Sequence, residues 1–124
     1  MSDVREHAVE VLATLGEREG VYGACLISRD GLPVLTHWPH PADVDTLAAM
    51  GAALMGAAET SLLEFGDRSV ETVLIVSEGL RLVILGVDDE MLLLAAMDRS
   101  LPIESFDGDL QVCLSRLHEI LAGA

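Results

Sequence analysis

The chain has 124 residues, 51% hydrophobic and 3% aromatic, with a formal net charge of -14. That length makes one domain with a core of Leu, Val, Ile, Ala and Met, and its wealth of branched apolar residues excludes a disordered chain. Seven arginines, no lysine and 21 acidic residues exclude nucleic acid and an anionic membrane surface as partners, since both call for clustered cations.

Met1 to Glu6 is polar and charged, unlike a secretory leader. No uninterrupted apolar run reaches the roughly 18 residues of a membrane span, so the expected location is cytoplasmic. Val4, Ala8, Val11, Leu12 and Leu15 recur at helical spacing and predict a helix over 2–18. Ser2 or Asp3 can cap it, and Gly16 or Gly20 can end it. Val21 to Ser28 is strand-like. Asp30-Gly31 signals a hairpin in which both turn positions tolerate positive φ. Leu32 to Trp38 is the return strand, with Pro33 at its start or on an edge. After "PHPADVD" a long helix is expected over 42–64, started at Asp43 or Pro41-Ala42 and closed by Gly66. Strands follow at Val70 to Ser77, Arg81 to Val87 and Met91 to Met97. The last, "MLLLAAM", is apolar at every position, as a central strand covered on both faces would be. A final helix is expected from Asp107 or Asp109 to about 122, with Leu110, Cys113, Leu114, Leu117, Ile120 and Leu121 on one stripe. The order is α-β-β-α-β-β-β-α, an α+β domain over 1–124. Short connections make the strand pairs antiparallel. The long helix lies on one sheet face and the two terminal helices on the other.

The long helix is the unusual element. Leu47 to Ala58 holds twelve consecutive residues with no charge and no hydrogen-bonding side chain. On a wheel of about 100° per residue, Val44, Leu47, Met50, Leu54, Met55, Ala58 and Leu62 form the stripe expected on the sheet. The other side holds Ala48, Ala49, Ala52, Ala53, Gly56 and Thr60, with Asp45, Glu59 and Glu64 towards the ends. A helix apolar all round is buried all round, and two internal glycines cost roughly 1 kcal/mol each. The expectation is a two-fold homodimer, helix on helix, across Asp45, Ala48, Ala49, Ala52, Ala53, Gly56, Thr60 and Leu63.

Sites with chemistry are weak in this sequence. His37 and His40 lack the further ligands of a metal site. Cys25 and Cys113 lie in apolar stretches and read as reduced core thiols. Gly20, Gly23 and Gly31 do not have the spacing of a phosphate loop. Arg29 reads as a solvated turn residue, and Trp38 as a cover over the core. No catalytic residue, cofactor or metal is expected.

"GVYGACLISRDGLPVLTH", the Ala/Gly/Leu helix ending "LLEFG" and the closing "DDEMLLLAAM" together resemble the Roadblock/LC7 family over about residues 4 to 122, closest to its prokaryotic, MglB-like branch. The resemblance implies a five-stranded antiparallel sheet and a homodimer. In that dimer the long helix and the third strand, with Val70, Thr72, Leu74 and Val76, pair across the two-fold. It also implies a platform without catalysis that binds and regulates a small Ras-like GTPase, with no arginine finger of its own. Asp45, Glu59 and Glu64 are the expected partner surface, since acidic groups suit a basic patch. An adaptor subunit with no effect on nucleotide turnover is the alternative, and a small-molecule sensor a weaker one.

Overall fold

A computed structural model of the chain describes residues 2–67 and 69–123, with Ser2 described by its backbone alone. The elements are α1 (Ser2–Gly16), β1 (Val21–Ser28), β2 (Pro33–His37), α2 (Val44–Leu63), β3 (Thr72–Val76), β4 (Leu80–Gly86), β5 (Met91–Asp98) and α3 (Ile103–Ala122). The five strands form one sheet in the order β2-β1-β5-β4-β3, and every pairing is antiparallel. The strand Met91–Asp98, apolar from Met91 to Met97, takes the middle of the sheet, where both faces are covered.

Strand alternation sends side chains to two separate cores. Leu26, Val83, Leu85, Leu93 and Met97 face α1 and α3 and meet Leu12, Leu15, Phe106, Leu110 and Leu117. Cys25, Ile27, Ile84, Leu92 and Leu94 face α2. Each large side chain moved fully from water into either layer stabilises the fold by about 1.5–3 kcal/mol. The arrangement expected from the sequence, with the long helix on one face and the terminal pair on the other, is the one observed.

Three local expectations need correction. The final helix starts at Ile103, well before Asp107 and Asp109. The Asp-Gly-Asp run looks like a helix start, but Phe106 and Leu110 are buried beneath it, and their packing draws the turns around Gly108 into the helix. Arg18 also holds this end, donating to the Ser105 carbonyl and hydroxyl at 2.9 Å each. The third strand is shorter than expected, Thr72–Val76 rather than Val70 to Ser77. In the first hairpin Gly31 alone has positive φ, at 94°, and its N–H donates to the Ser28 carbonyl at 3.0 Å. The turn therefore spans three residues and ends in a left-handed glycine, with the Ser28 N–H donating to the Leu32 carbonyl at 2.8 Å; separately, the register shifts further along the hairpin, between Leu26 and Ile27.

Candidate interaction surface on helix α2 and strand β3

Asp43 starts α2. Its carboxylate accepts from the Thr46 N–H at 3.2 Å and the Thr46 hydroxyl at 2.9 Å. These bonds favour the charged form and hold the Asp43 pKa below its usual value.

The phase of α2 differs from the wheel. Ala48, Gly51 and Met55 are the residues buried against the sheet, with Val44 and Ala52 packed beside them. Met50 is 52% exposed and Leu54 37%, although both belong to the stripe expected on the sheet. The sheet itself explains the difference. Ile27, Ile84, Leu92 and Leu94 already fill its α2 face, so the helix approaches through small residues. A Cβ on Gly51 would stand 2.7 Å from Leu94 Cδ1 and 3.2 Å from Ile27 Cδ1.

With that phase, Ala49, Ala53, Ala57 and Thr60 run along the crest facing solvent, spaced as neighbours on one helical face. One flank lies against the first hairpin. Gly31 packs close to Ala49, and Arg29 Nη1 pairs with Glu59 Oε2 at 3.1 Å. Met50 and Leu54 occupy the other flank, which faces away from that hairpin. Past the helix end, Phe65 stands 84% exposed.

The sheet's two edges differ. β2 begins with Pro33, which has no N–H to offer a further strand, and the Trp38 indole folds over Gly23 beside it. β3 carries no proline, and no strand pairs with its outer side among the described residues. Its Val73 joins the α2-side core. Thr72, Leu74 and Val76 are exposed on the opposite face. A bare edge of this kind is a template for another strand.

These facts sort the interface expected from the sequence. Ala48 is fully buried within the chain and offers nothing to a partner; Ala52 is half-buried in the same core. Asp45, Ala49, Ala53, Gly56, Thr60 and Leu63 are exposed on α2, whereas Val70 packs into the α2-side core. Of the expected partner surface, Asp45 and Glu64 are exposed, but Glu59 is engaged by Arg29. Met50, Leu54, Ala57 and Phe65 were not anticipated. The Ala49–Ala53–Ala57 spacing is the signal that would have found the crest.

The family model for the Roadblock/LC7 domain matches residues 8–96. The chain belongs to the Roadblock/LC7 family. Among solved structures, the gliding protein MglB from Thermus thermophilus superposes with a TM-score of 0.89 at 24% identity, covering 98% of this chain and 93% of that one. MglB of Myxococcus xanthus gives 0.88 at 14% identity, covering 94% and 96%. The Roadblock/LC7 domain from Streptomyces avermitilis gives 0.84 at 20%, covering 92% and 97%. At these identities the likeness is one of fold. An uncharacterised protein of Methanocaldococcus jannaschii is 34% identical over 68 residues, which is 55% of this chain and 60% of the relative's length.

Within this Roadblock/LC7 domain, α2 is by length and composition the one described helix apolar enough to cross a membrane, with a mean hydropathy of 1.3. The sequence expectation counted uninterrupted runs and overlooked that a helix with acidic residues only near its ends passes the same test. Its seating on Ile27, Leu92 and Leu94 argues for the sheet over a bilayer, since leaving would expose those side chains.

The remaining candidates carry little chemistry. Arg29 is not merely solvated: besides Glu59, its Nε donates to the Asp88 carbonyl at 3.2 Å, tying the hairpin to α2 and the β4–β5 turn. Trp38 packs against the α2-side core, as a cover would. Burial pushes the Cys25 thiol up to about 12; burial, slightly opposed by Arg116, pushes Cys113 up to about 11. Both are poor nucleophiles at neutral pH. Among the described residues no three His, Cys, Asp or Glu side chains are grouped to hold a metal ion, and His40 instead stacks on Tyr22 with ring centroids 4.7 Å apart.

Proposed function

We propose that this chain is a cytoplasmic homodimeric platform, without chemistry of its own, that binds and regulates a small Ras-like GTPase. One observation carries the reading: the outward face of α2 is apolar and uncovered, and it lies on the same protomer as the bare edge of β3. In the proposed dimer β3 pairs with its symmetry mate, and the crest of Ala49, Ala53 and Ala57 lets two helices approach closely. Met50 and Leu54 fill the seam. A two-fold interface uses each residue twice, so four such side chains leave water, each contributing about 1.5–3 kcal/mol against the entropic cost of association.

The resemblance to the MglB-like branch and the fold shared with MglB support this reading. One solved MglB is described with a tetrameric arrangement, in line with a self-associating scaffold. Asp45 and Glu64 remain exposed in the proposed dimer and form an acidic surface for a basic patch on the GTPase.

The test is GTP hydrolysis by candidate small GTPases at saturating concentrations of this protein. Faster turnover by a GTPase that binds is the expected result. Binding with turnover at the intrinsic rate in every case would overturn regulation and leave an adaptor.

A further inference from the structure

On the face of the sheet away from α2, α1 and α3 cover β1, β5 and β4 but stop short of β3. A groove remains between β3 and the first half of α3. Its floor is Thr72 and Leu74, its wall is Ile103, Phe106 and Leu110, and its volume is about 170 Å³. Leu74 is 45% exposed and Ile103 43%. Val76 continues the floor at 49% exposed. These apolar groups face water although a complete core lies just beneath them, at Val83, Leu85 and Met97.

We propose that this groove docks a segment of a partner protein that presents one large apolar side chain between lysine or arginine residues. Two observations choose that occupant. The cavity lies below the roughly 300–1,000 Å³ of sites that enclose a small-molecule ligand, and it suits a single anchoring side chain of the kind that dominates interface energetics. The surroundings are acidic. Asp107 lines the groove; Glu71 and Glu104 adjoin its lining residues Thr72 and Ile103 in the chain and Glu78 follows Val76 by two residues, all exposed, and no described ion pair neutralises them. Among the described residues two cations lie nearby: Arg81, which lines the groove, and Arg99 keep their charge but are oriented by backbone carbonyls, Arg81 Nη1 donating to Leu101 at 2.9 Å and Arg99 Nη1 to Ser77 at 3.2 Å, so the four carboxylates outnumber them. A basic segment is attracted and steered, whereas an acidic one is repelled. The site does not depend on the proposed dimer. Pairing through the edge of β3 leaves this face open, and a two-fold would set two such grooves side by side.

The probe is a fluorescent twelve-residue peptide with one central leucine flanked by lysines. Two matched peptides carry alanine for the leucine or glutamate for the lysines. Binding is read by anisotropy, and its location by methyl NMR. The leucine–lysine peptide should shift the methyl signals of Leu74, Val76, Ile103 and Leu110, and its affinity should fall at least tenfold when the leucine is replaced. Leu74→Ala and Ile103→Ala, both at half-exposed positions, should each weaken it at least fivefold, while Met50→Ala on the far face should not. Affinity indifferent to the leucine would overturn the proposal, as would methyl shifts confined to Met50 and Leu54 or no binding at low salt.

Discussion

Gly51 and Gly56 belong to the same helix but face different surroundings. A methyl group on Gly51 would run into Leu94 and Ile27, while one on Gly56 would meet nothing within 4 Å. The same contrast runs the length of α2. On the inner face, small residues let the helix sit down on a bulky sheet. On the outer face, Ala53 and Ala57 face solvent, and Met50 and Leu54 stand beside them in water. Small residues at one face of the helix thus have their reason inside the protomer; at the other, the proposed dimer supplies one.

The sharpest way to break this contrast is to charge the outer face. Ala53→Glu should raise the dimer dissociation constant at least 100-fold, about 2.7 kcal/mol, read by sedimentation. The helical signal should persist, because Ala53 is exposed in the single chain. Unchanged self-association would move the interface off α2.

Gly51→Ala comes next, acting on the inner face. Overpacking against Leu94 should cost about 1–3 kcal/mol, read from the denaturant midpoint. A neutral outcome would mean that α2 lifts from the sheet without penalty. Gly56→Ala should act in the opposite direction, raising the stability of a monomeric background such as Ala53→Glu by up to about 1 kcal/mol. A loss there would show that Gly56 is constrained within the protomer after all.

The smallest effect concerns the end of the helix, where both faces begin. The Asp43 carboxylate, held below its usual pKa first by the Thr46 hydroxyl and then by the Thr46 N–H, binds fewer protons when folded than unfolded at mildly acidic pH. Its contribution is therefore complete above the ordinary carboxylate range and fades as pH falls through the depressed value. Asp98, lowered chiefly by the Ser100 hydroxyl, acts in the same direction. Asp43→Ala should lower the melting temperature by a degree or two at neutral pH, and that difference should shrink at pH 3. A difference that grows on acidification would contradict the sign.

Much of the fold was legible because its signals are local. Asp30-Gly31 marked the hairpin, "MLLLAAM" marked the central strand, and Leu110, Cys113 and Leu117 marked the stripe of α3. The phase of α2 was not legible. Between Leu47 and Ala58 no polar residue says which side faces water. Ranking by bulk placed Met50 and Leu54 inward, because the sheet's own bulk belongs to strands distant in sequence. The same non-local packing hid the first turn of α3, which Phe106 fixes from below. Of the residues expected at an interface, Ala48 and Ala52 serve the sheet and Glu59 serves Arg29, while Asp45, Ala49, Ala53, Gly56, Thr60 and Leu63 stay exposed.

The most direct measurement is the solution mass by light scattering at low and at high salt. Each chain weighs 13.2 kDa and carries -14 charges, so two copies repel, and screening should favour their association. A mass of about twice 13.2 kDa, held more tightly at high salt, is the predicted result. A monomer at both salts and at every accessible concentration would contradict the account.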